Sequence, residues 1–492
     1  MTKLRLRESS EDLVHVERQE DGIAASAARA PSARWAIASL SLSMLLSSLG
    51  TSIANVGLPA LALAFSASFQ QVQWIVLAYL LAVTTLIVSV GRLGDIVGRR
   101  RLLLAGIVLF TVASLLCSIA PTLPLLIVAR VVQGLGAAVM MALSMAFVGE
   151  TVPKERTGSA MGLLGTMSAI GTALGPSLGG VLISGFGWPA IFFVNVPLGC
   201  LALLLAHRYL PADRRAPSTD QGGTDQGGFD ISGTLLLVLT LAAYALAMTT
   251  GRGHLSSLNM ALLLGAALGI GLFVLVEARA TSPLIRLAVF RDPVLSAGLA
   301  LNAMVSTVMM ATLVVGPFYL SRALGLDEAV IGAVMSIGPI ISALSGVLAG
   351  RIVDRLSASF ITVVGLMLMV AGSLALSLIP AIFGIAGYIA AVAILSPGYQ
   401  LFQAANNTAV MVNVSPGERG VVSGMLSLSR NLGLITGAAV LGAVFALAIA
   451  KPDITTARAE AVADGMRVTF AVAAVLMMVA LAIAFVSRAR AK

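Results

Sequence analysis

Between residues 35 and 487 the chain never goes far without an apolar run of about twenty residues, and its longest polar interruption is the segment 209–230. Such a run, coiled at about 1.5 Å per residue, matches the hydrocarbon thickness of a bilayer. Backbone polar groups in lipid must be satisfied within their own segment, so each run is read as a helix. Spans are expected at about 35–58, 73–91, 101–120, 124–148, 159–184, 190–208, 231–250, 257–278, 294–319, 329–349, 359–380, 384–412, 421–450 and 466–487. The pattern predicts an all-α polytopic membrane protein with fourteen crossings, which places both termini on one side. Only 11% of residues are charged, against about 25% in a soluble domain.

The basic residues choose that side. With the N-terminus in the cytoplasm, twenty-four Lys and Arg fall in cytoplasmic loops and tails. The opposite side has Arg252, Arg322, Lys451, Arg458 and Arg467. Positive charge marks cytoplasmic loops, so the net +9 is topogenic and points to no nucleic-acid partner. Residues 1–34 are polar, carry six acids and lack an apolar stretch before the first span, so a disordered cytoplasmic tail is expected rather than a signal peptide. The Gly-, Gln- and Asp-rich segment 209–230 reads as a cytoplasmic linker, 279–293 as an amphipathic cytoplasmic loop and 488–492 as a short cytoplasmic tail. Cys117 and Cys200 fall inside apolar runs and read as packing residues. The three histidines are scattered, and no phosphate-binding loop or nucleophile elbow is present. Metal, cofactor, ATP-driven and enzymatic readings therefore find no support.

Two charged turns interrupt the apolar pattern. Gly91-Arg92-Leu93-Gly94-Asp95-Ile96-Val97-Gly98-Arg99-Arg100-Arg101 joins the second and third spans, and Gly350-Arg351-Ile352-Val353-Asp354-Arg355 echoes it in the second half. Asp95 and Asp354 are 259 residues apart; Pro153-Lys-Glu-Arg and Pro416-Gly-Glu-Arg are 263 apart. Six spans and their loops account for about 200 residues, so the excess fits two inserted helices. The expected organisation is a six-helix bundle at 35–208, two extra helices at 231–278 and a second bundle at 294–487. Repeats of this kind place a substrate site near the bilayer midplane, between the halves.

Further motifs lie in order along the chain: Arg130-Val-Val-Gln133-Gly134-Leu-Gly136; Gly171-Thr-Ala-Leu-Gly175-Pro176-Ser-Leu-Gly179-Gly180; Asn55-Val-Gly-Leu-Pro59; Trp74 with Tyr79; Phe192-Phe-Val-Asn195-Val-Pro197; Phe229-Asp230; Ser423-Gly424; and Arg430-Asn431. With the turn at 91–101 they resemble the major facilitator superfamily over residues 35–487, within it the fourteen-helix drug:proton antiporters, the multidrug resistance efflux transporters. The resemblance implies a multi-pass protein of the bacterial inner (plasma) membrane that exports drug-like or toxic small molecules by alternating access, coupled to protons. The alternative in the same fold is export of one endogenous metabolite, such as a siderophore, antibiotic or vitamin. The partners so implied are a small-molecule substrate, protons and the lipid bilayer, with a periplasmic adaptor as a further candidate.

Residue roles follow in the same way. Gly91 and Gly98 are expected to allow tight turns, and Asp95 to cap a helix or pair with an arginine. The resemblance makes Asp95, Arg99 and Arg100 a latch of the outward-facing state, with Asp354 and Arg355 in the echo. Gly171, Gly175 and Gly179 share a helix face and permit close helix approach, Pro176 can bend the helix, and Gly180 ends the motif. The resemblance links this motif to export. Arg130 is an isolated charge within a span and should face a partner or a wet cavity; the resemblance gives it a part in proton coupling. Polar or aromatic groups in apolar helices are the cavity candidates: Asn55, Trp74, Tyr79, Asn302, Tyr319, Gln400, Gln403 and Asn407, of which Gln400, Gln403 and Asn407 fall on one helical face.

One departure stands out. Many members of the resembled subfamily carry an acid in the first span where this chain has Gly50. Asp95, Glu150, Asp230, Glu277, Asp354 and Glu418 all fall at or near cytoplasmic helix ends, so the expected bilayer interior holds Arg130 and Arg430 and no carboxylate. Neutral or anionic amphiphiles are then expected to be preferred over multivalent cations. Proton coupling would have to use Glu150 or Asp230, or Arg130 with water.

Overall fold

The computed structural model describes residues 34–151, 157–211, 231–249, 256–279, 292–411, 419–449 and 457–490. Among them are helices and no strand. The first bundle comprises α1 (Arg34–Val56), α2 (Leu58–Ala64), α3 (Phe69–Val97), α4 (Arg99–Ser118), α5 (Leu123–Thr151), α6 (Thr157–Phe186), α7 (Ala190–Phe193) and α8 (Asn195–Tyr209). The added pair is α9 (Ile231–Thr249) and α10 (Ser257–Arg279). The second bundle comprises α11 (Pro293–Phe318), α12 (Glu328–Arg355), α13 (Ala358–Leu378), α14 (Pro380–Met411), α15 (Arg419–Thr436), α16 (Gly442–Ile449) and α17 (Ala459–Arg490). Thirteen helical stretches are long and apolar enough to cross a membrane, and the shorter apolar helix Ser232–Ala247 stands in the place of the seventh expected span. The tail before residue 34, most of the linker 209–230 and the amphipathic loop before residue 292 lie outside the described residues.

Several crossings are broken where one continuous run was expected. Gly57 and Pro59 separate α1 from α2. Residues Tyr319–Ala323 and Gly437–Leu441 are π-helical, the first beginning two residues after Pro317 and the second joining α15 to α16. Gly384 (φ 54°) kinks α14. Other helices outrun their expected limits: α3 continues through Gly91 to Val97, because nothing in 91–97 breaks it. The turn between α3 and α4 is therefore the single residue Gly98, at φ 101°, a backbone conformation that suits glycine. Gly91 is thus helical rather than the turn residue expected, and of the two roles expected of Asp95 the helix cap falls away, since it lies in the last turn of α3 and the N-cap of α4 is Gly98.

Two ends of the molecule can now be distinguished: a hinge end, where Gly98 joins α3 to α4, and a far end, where residues 65–68 join α2 to α3. Ser68 opens α3 through a reciprocal capping box with Gln71. At the far end one apolar core runs continuously through both bundles, from Phe69 and Ile53 to Phe318, Phe445 and Ile331. Toward the hinge end the core divides. One part, around Leu40, Leu103 and Phe147, belongs to the first bundle; a small one, around Val353, Ile361 and Ala405, belongs to the second; a third, around Leu241, Leu299 and Leu428, joins the added pair to α11 and α15, with Leu81 of α3 packed on it. The added pair leans on the seam through α9, which contacts α3 and the π-helical segment 437–441, while α10 packs chiefly on α9. Leu264, Leu268 and Ile270 of α10 are 62%, 67% and 59% exposed. Such an apolar surface suits lipid and would be costly in water.

Candidate functional site

A cavity of about 430 Å³ lies between the bundles, lined by α6, α11, α12, α14 and α15. That volume is in the range of small-molecule sites. Its α14 wall presents Tyr388, Tyr399, Gln400, Gln403 and Asn407. The three amides share a face because their spacing follows the helical period. Gln403 Nε2 donates to Tyr399 Oη at 3.0 Å. Opposite are Ser168 and Thr172 of α6, Ser306, Met309 and Thr312 of α11, Ser342 of α12 and Arg430 of α15. Gly316 makes room for Tyr388, since a Cβ there would stand 2.6 Å from the Tyr388 hydroxyl.

Of the eight residues expected in this cavity, Gln400, Gln403 and Asn407 line it, and five lie elsewhere. Asn55 is buried and returns its amide to Thr51 O and Ser52 O, in the turn before α1 breaks. Trp74 borders a separate pocket at the far end with Phe65, Gln71 and Pro121. Asn302 ties α11 to α15 through Leu426 O at 2.9 Å. Tyr319 donates to Pro380 O at 3.1 Å and stacks on Tyr388, ring centres 6.3 Å apart. Tyr79 donates to Ser47 O at 2.7 Å beneath Arg130. Sequence reasoning placed neither Arg430 nor the tyrosines Tyr388 and Tyr399 in the cavity. A charge or phenol interrupting an apolar run was the available signal.

Arg130 is fully buried in the first bundle, away from the cavity. Its Nε donates to Ile75 O at 2.8 Å and its Nη1 to Gly50 O at 3.1 Å and Gln133 Oε1 at 2.6 Å. Gln133 in turn donates to Ser114 Oγ at 2.7 Å. The guanidinium sits 4.2 Å from the centre of the Tyr79 ring and 5.8 Å from that of Phe192. Dipoles and π-faces, rather than a carboxylate, hold this charge among the described residues. Gly50, where the resembled subfamily has its acid, touches the guanidinium through its carbonyl. A Cβ at Gly50 would meet Tyr79 Oη at 3.1 Å and Phe110 at 3.3 Å. Asp230 and the side chains of Asp95, Glu150 and Asp354 lie outside the described residues. Glu277, expected at a helix end, is buried in the last turns of α10, apart from the cavity.

The glycine-rich face of α6 lies against α1. A Cβ on Gly171 would strike Leu45 O, one on Gly175 would strike Ser52 Oγ, and one on Gly179 would stand 2.6 Å from Val56. Pro176 lies within the helix. Gly180 faces the other way, onto α12, where a Cβ would stand 2.5 Å from Glu328 O and 2.9 Å from Gly332 Cα. Toward the hinge end these two helices part: Gly165 and Gly350 have nothing within 4 Å of a Cβ position, and at Gly346 only Gln400 Oε1 reaches 4.0 Å. At the turns, Arg100 Nη2 donates to His207 O at 2.5 Å, fastening α4 to the end of α8, while Arg99 is half-buried and Arg355 exposed.

A second far-end crossing joins α3 to the π-helical segment. Gln73, buried, donates to Ala438 O at 2.9 Å, and a Cβ on Gly442 would overlap the Gln73 amide. Phe69 packs beside it on Phe318 and Phe445, ring centres 4.8 and 5.4 Å apart. If Gly442 exists to admit Gln73, Gly442→Ala should lower the melting temperature far more in the native background than beside Gln73→Ala, with a coupling energy of about 1 kcal/mol or more in a double-mutant cycle. Equal effects in both backgrounds would refute the contact.

The comparisons with known proteins agree on one lineage. A sequence profile of the Major Facilitator Superfamily matches residues 40–438. The chain is 31% identical to the riboflavin transporter RibZ of Clostridioides difficile, over 82% of this chain and 86% of that one. It is 32% identical to the multidrug resistance protein Stp of Mycobacterium tuberculosis (80% and 72%) and 31% identical to the drug efflux pump JefA of the same organism (85% and 81%). Among solved structures, an inward-facing, occupied bacterial homologue of the human lysosomal transporter Spinster superposes with a TM-score of 0.69 at 16% identity, over 93% of this chain and 97% of that one.

Proposed function

Because the chain belongs to the Major Facilitator Superfamily, it is a multi-pass membrane transporter of small molecules and not an enzyme, and we propose that it exports drug-like or toxic solutes from the cytoplasm by proton-coupled alternating access. The observation that carries this reading is the asymmetry of the seam. One core and two tight crossings close the far end, whereas α6 and α12 diverge toward the hinge end beside the cavity. The charge bias of the loops supports a cytoplasmic hinge end. The arrangement is then an inward-facing, loading state of a fourteen-helix exporter of the bacterial inner membrane. Relatives named as multidrug and drug efflux proteins support the substrate class. In this reading the turns at 91–101 and 350–355 work the cytoplasmic gate, Gly180 seals the opposite side against α12 while Gly171, Gly175 and Gly179 hold α6 on α1, and Glu150, Asp230 and Arg130 are the coupling candidates. A relative named as a riboflavin transporter favours the second reading, export of a single metabolite.

Everted membrane vesicles test the proposal. Cells carrying the chain should yield vesicles that accumulate dye-like substrates when acidified inside, and collapse of the pH gradient should abolish the uptake. Uptake indifferent to the gradient would end the proton-coupled reading. Uptake of one metabolite and no dye would favour the second. Gly50→Asp sharpens the test. An aspartate there would give Arg130 a carboxylate, at the cost of displacing Tyr79 and Phe110 slightly. The new carboxylate would lie apart from the cavity, so only if a first-span acid sets selectivity in another state of the transport cycle should the variant acquire export of organic dications that the native chain handles poorly. Unchanged dication flux in a folded variant would show that the missing acid does not set selectivity.

A further inference from the structure

The two intramembrane arginines have opposite surroundings. Arg130 is fully buried and gives its Nε and Nη1 to Ile75, Gly50 and Gln133, while its Nη2 has no partner among the described residues. Arg430 is exposed, lines the cavity between the bundles and has no hydrogen-bonding or ion-pairing partner among the described residues. It is also the one charged side chain among the described residues of that lining. A guanidinium on an apolar helix is expensive unless it meets water or an anion. Here it meets a cavity whose other polar groups include several donors. Gln400 and Asn407 each carry an amide NH₂, and Tyr399, which accepts from Gln403, keeps its own hydroxyl proton to give. The rest of the lining sets the hydroxyls of Ser168, Thr172, Ser306, Thr312, Ser342 and Ser396 among apolar or soft surface from residues such as Met309, Met335 and Tyr388. Such adaptable surface suits a flat or irregular hydrocarbon body.

We propose that Arg430 is the recognition residue of this cavity and that its preferred substrates are amphiphilic organic anions, with an oxyanion group on an aromatic or alicyclic body. The inference rests on the cavity being the transport site, as proposed above. The oxyanion pairs with the guanidinium fork and takes further hydrogen bonds from Tyr399 and the α14 amides, while the body lies along the apolar lining. An organic cation of the same shape meets repulsion from Arg430 and no compensating acid among the described lining residues. Charge sign, more than shape, is then the first filter of the site.

The test uses two xanthene dyes of similar body and opposite charge, fluorescein (anionic) and rhodamine 123 (cationic). Binding to the full chain in phosphatidylcholine nanodiscs is read by anisotropy; the zwitterionic lipid keeps anionic headgroups out of competition. Fluorescein should bind more tightly than rhodamine 123. Arg430→Gln should weaken fluorescein about ten- to hundredfold, the worth of one charge-assisted hydrogen-bonded pair, and should tighten rhodamine 123. Arg430→Lys should recover part of the fluorescein affinity, and a native melting temperature for both variants excludes misfolding. Preference for rhodamine 123, or fluorescein binding indifferent to Arg430→Gln, would overturn the inference and leave the export reading standing. Binding of neither dye would overturn both.

Discussion

Arg130→Ala is expected to lose about 3–5 kcal/mol of stability and all transport. The substitution empties a fully buried site and leaves Gln133 Oε1 without its donor at 2.6 Å, and it removes the tie that Arg130 makes from α5 to Gly50 on α1 and Ile75 on α3. Large-to-small changes in packed interiors and orphaned buried acceptors each cost a few kcal/mol, a large fraction of the stability of a typical domain. Arg130→Lys separates structure from coupling. A lysine keeps the charge but cannot span three acceptors on three helices. If the arginine serves only the fold, Arg130→Lys should lower the melting temperature and scale both gradient-driven flux and substrate counterflow down together. If it also couples protons, counterflow should persist while gradient-driven flux disappears. A variant Arg130→Ala with native melting temperature and native flux would refute both roles.

The second large effect is expected at Gly180. Valine there would press on Glu328 O and Gly332 Cα, backbone atoms that cannot rotate away. The α6–α12 crossing must then open. Each bundle retains its own apolar contacts, so the chain should still fold. Transport should fall at least tenfold, because one of the two alternating states loses its seal. In a background freed of Cys117 and Cys200, Met335→Cys reports the change, since Met335 is buried beside the crossing and lines the cavity. A membrane-impermeant thiol reagent applied from the far side should label it in Gly180→Val and not in the parent. Gly332→Val should behave alike, because Gly180 and Gly332 occupy the same gap from opposite sides. Absence of labelling together with native flux would show that the seal lies elsewhere.

The fold was largely legible in the chain because a bilayer imposes one length and one secondary structure on each apolar run. Even the seventh span, too short to count with the other thirteen, is present as an apolar helix. The breaks within crossings were less legible. Glycines are tolerated in membrane helices, and only tertiary packing decides which one turns the chain: Gly91 continues α3 whereas Gly98 ends it. The cavity was legible where spacing alone settles orientation, as for Gln400, Gln403 and Asn407. It was not legible for Asn55, Asn302 or Tyr79. A polar side chain in lipid is equally well satisfied by a backbone carbonyl of its own turn or of a neighbouring helix, and each of these three found one. Arg130 and Arg430 looked alike as charges in apolar runs. Their difference arises from α1, α3 and α5 converging on the first and from α15 bordering open space at the second.

The single-residue connection at Gly98 has a mechanical corollary. Consecutive Cα atoms are about 3.8 Å apart, so one intervening residue gives α3 and α4 almost no slack. Arg100 further rivets α4 to the terminus of α8. Whatever displaces α3 along the seam must therefore drag two neighbours with it. The helix that carries Gln73 at its opposite extremity is thus the long arm of a crank, and a small swing at one membrane face is delivered undamped to the other.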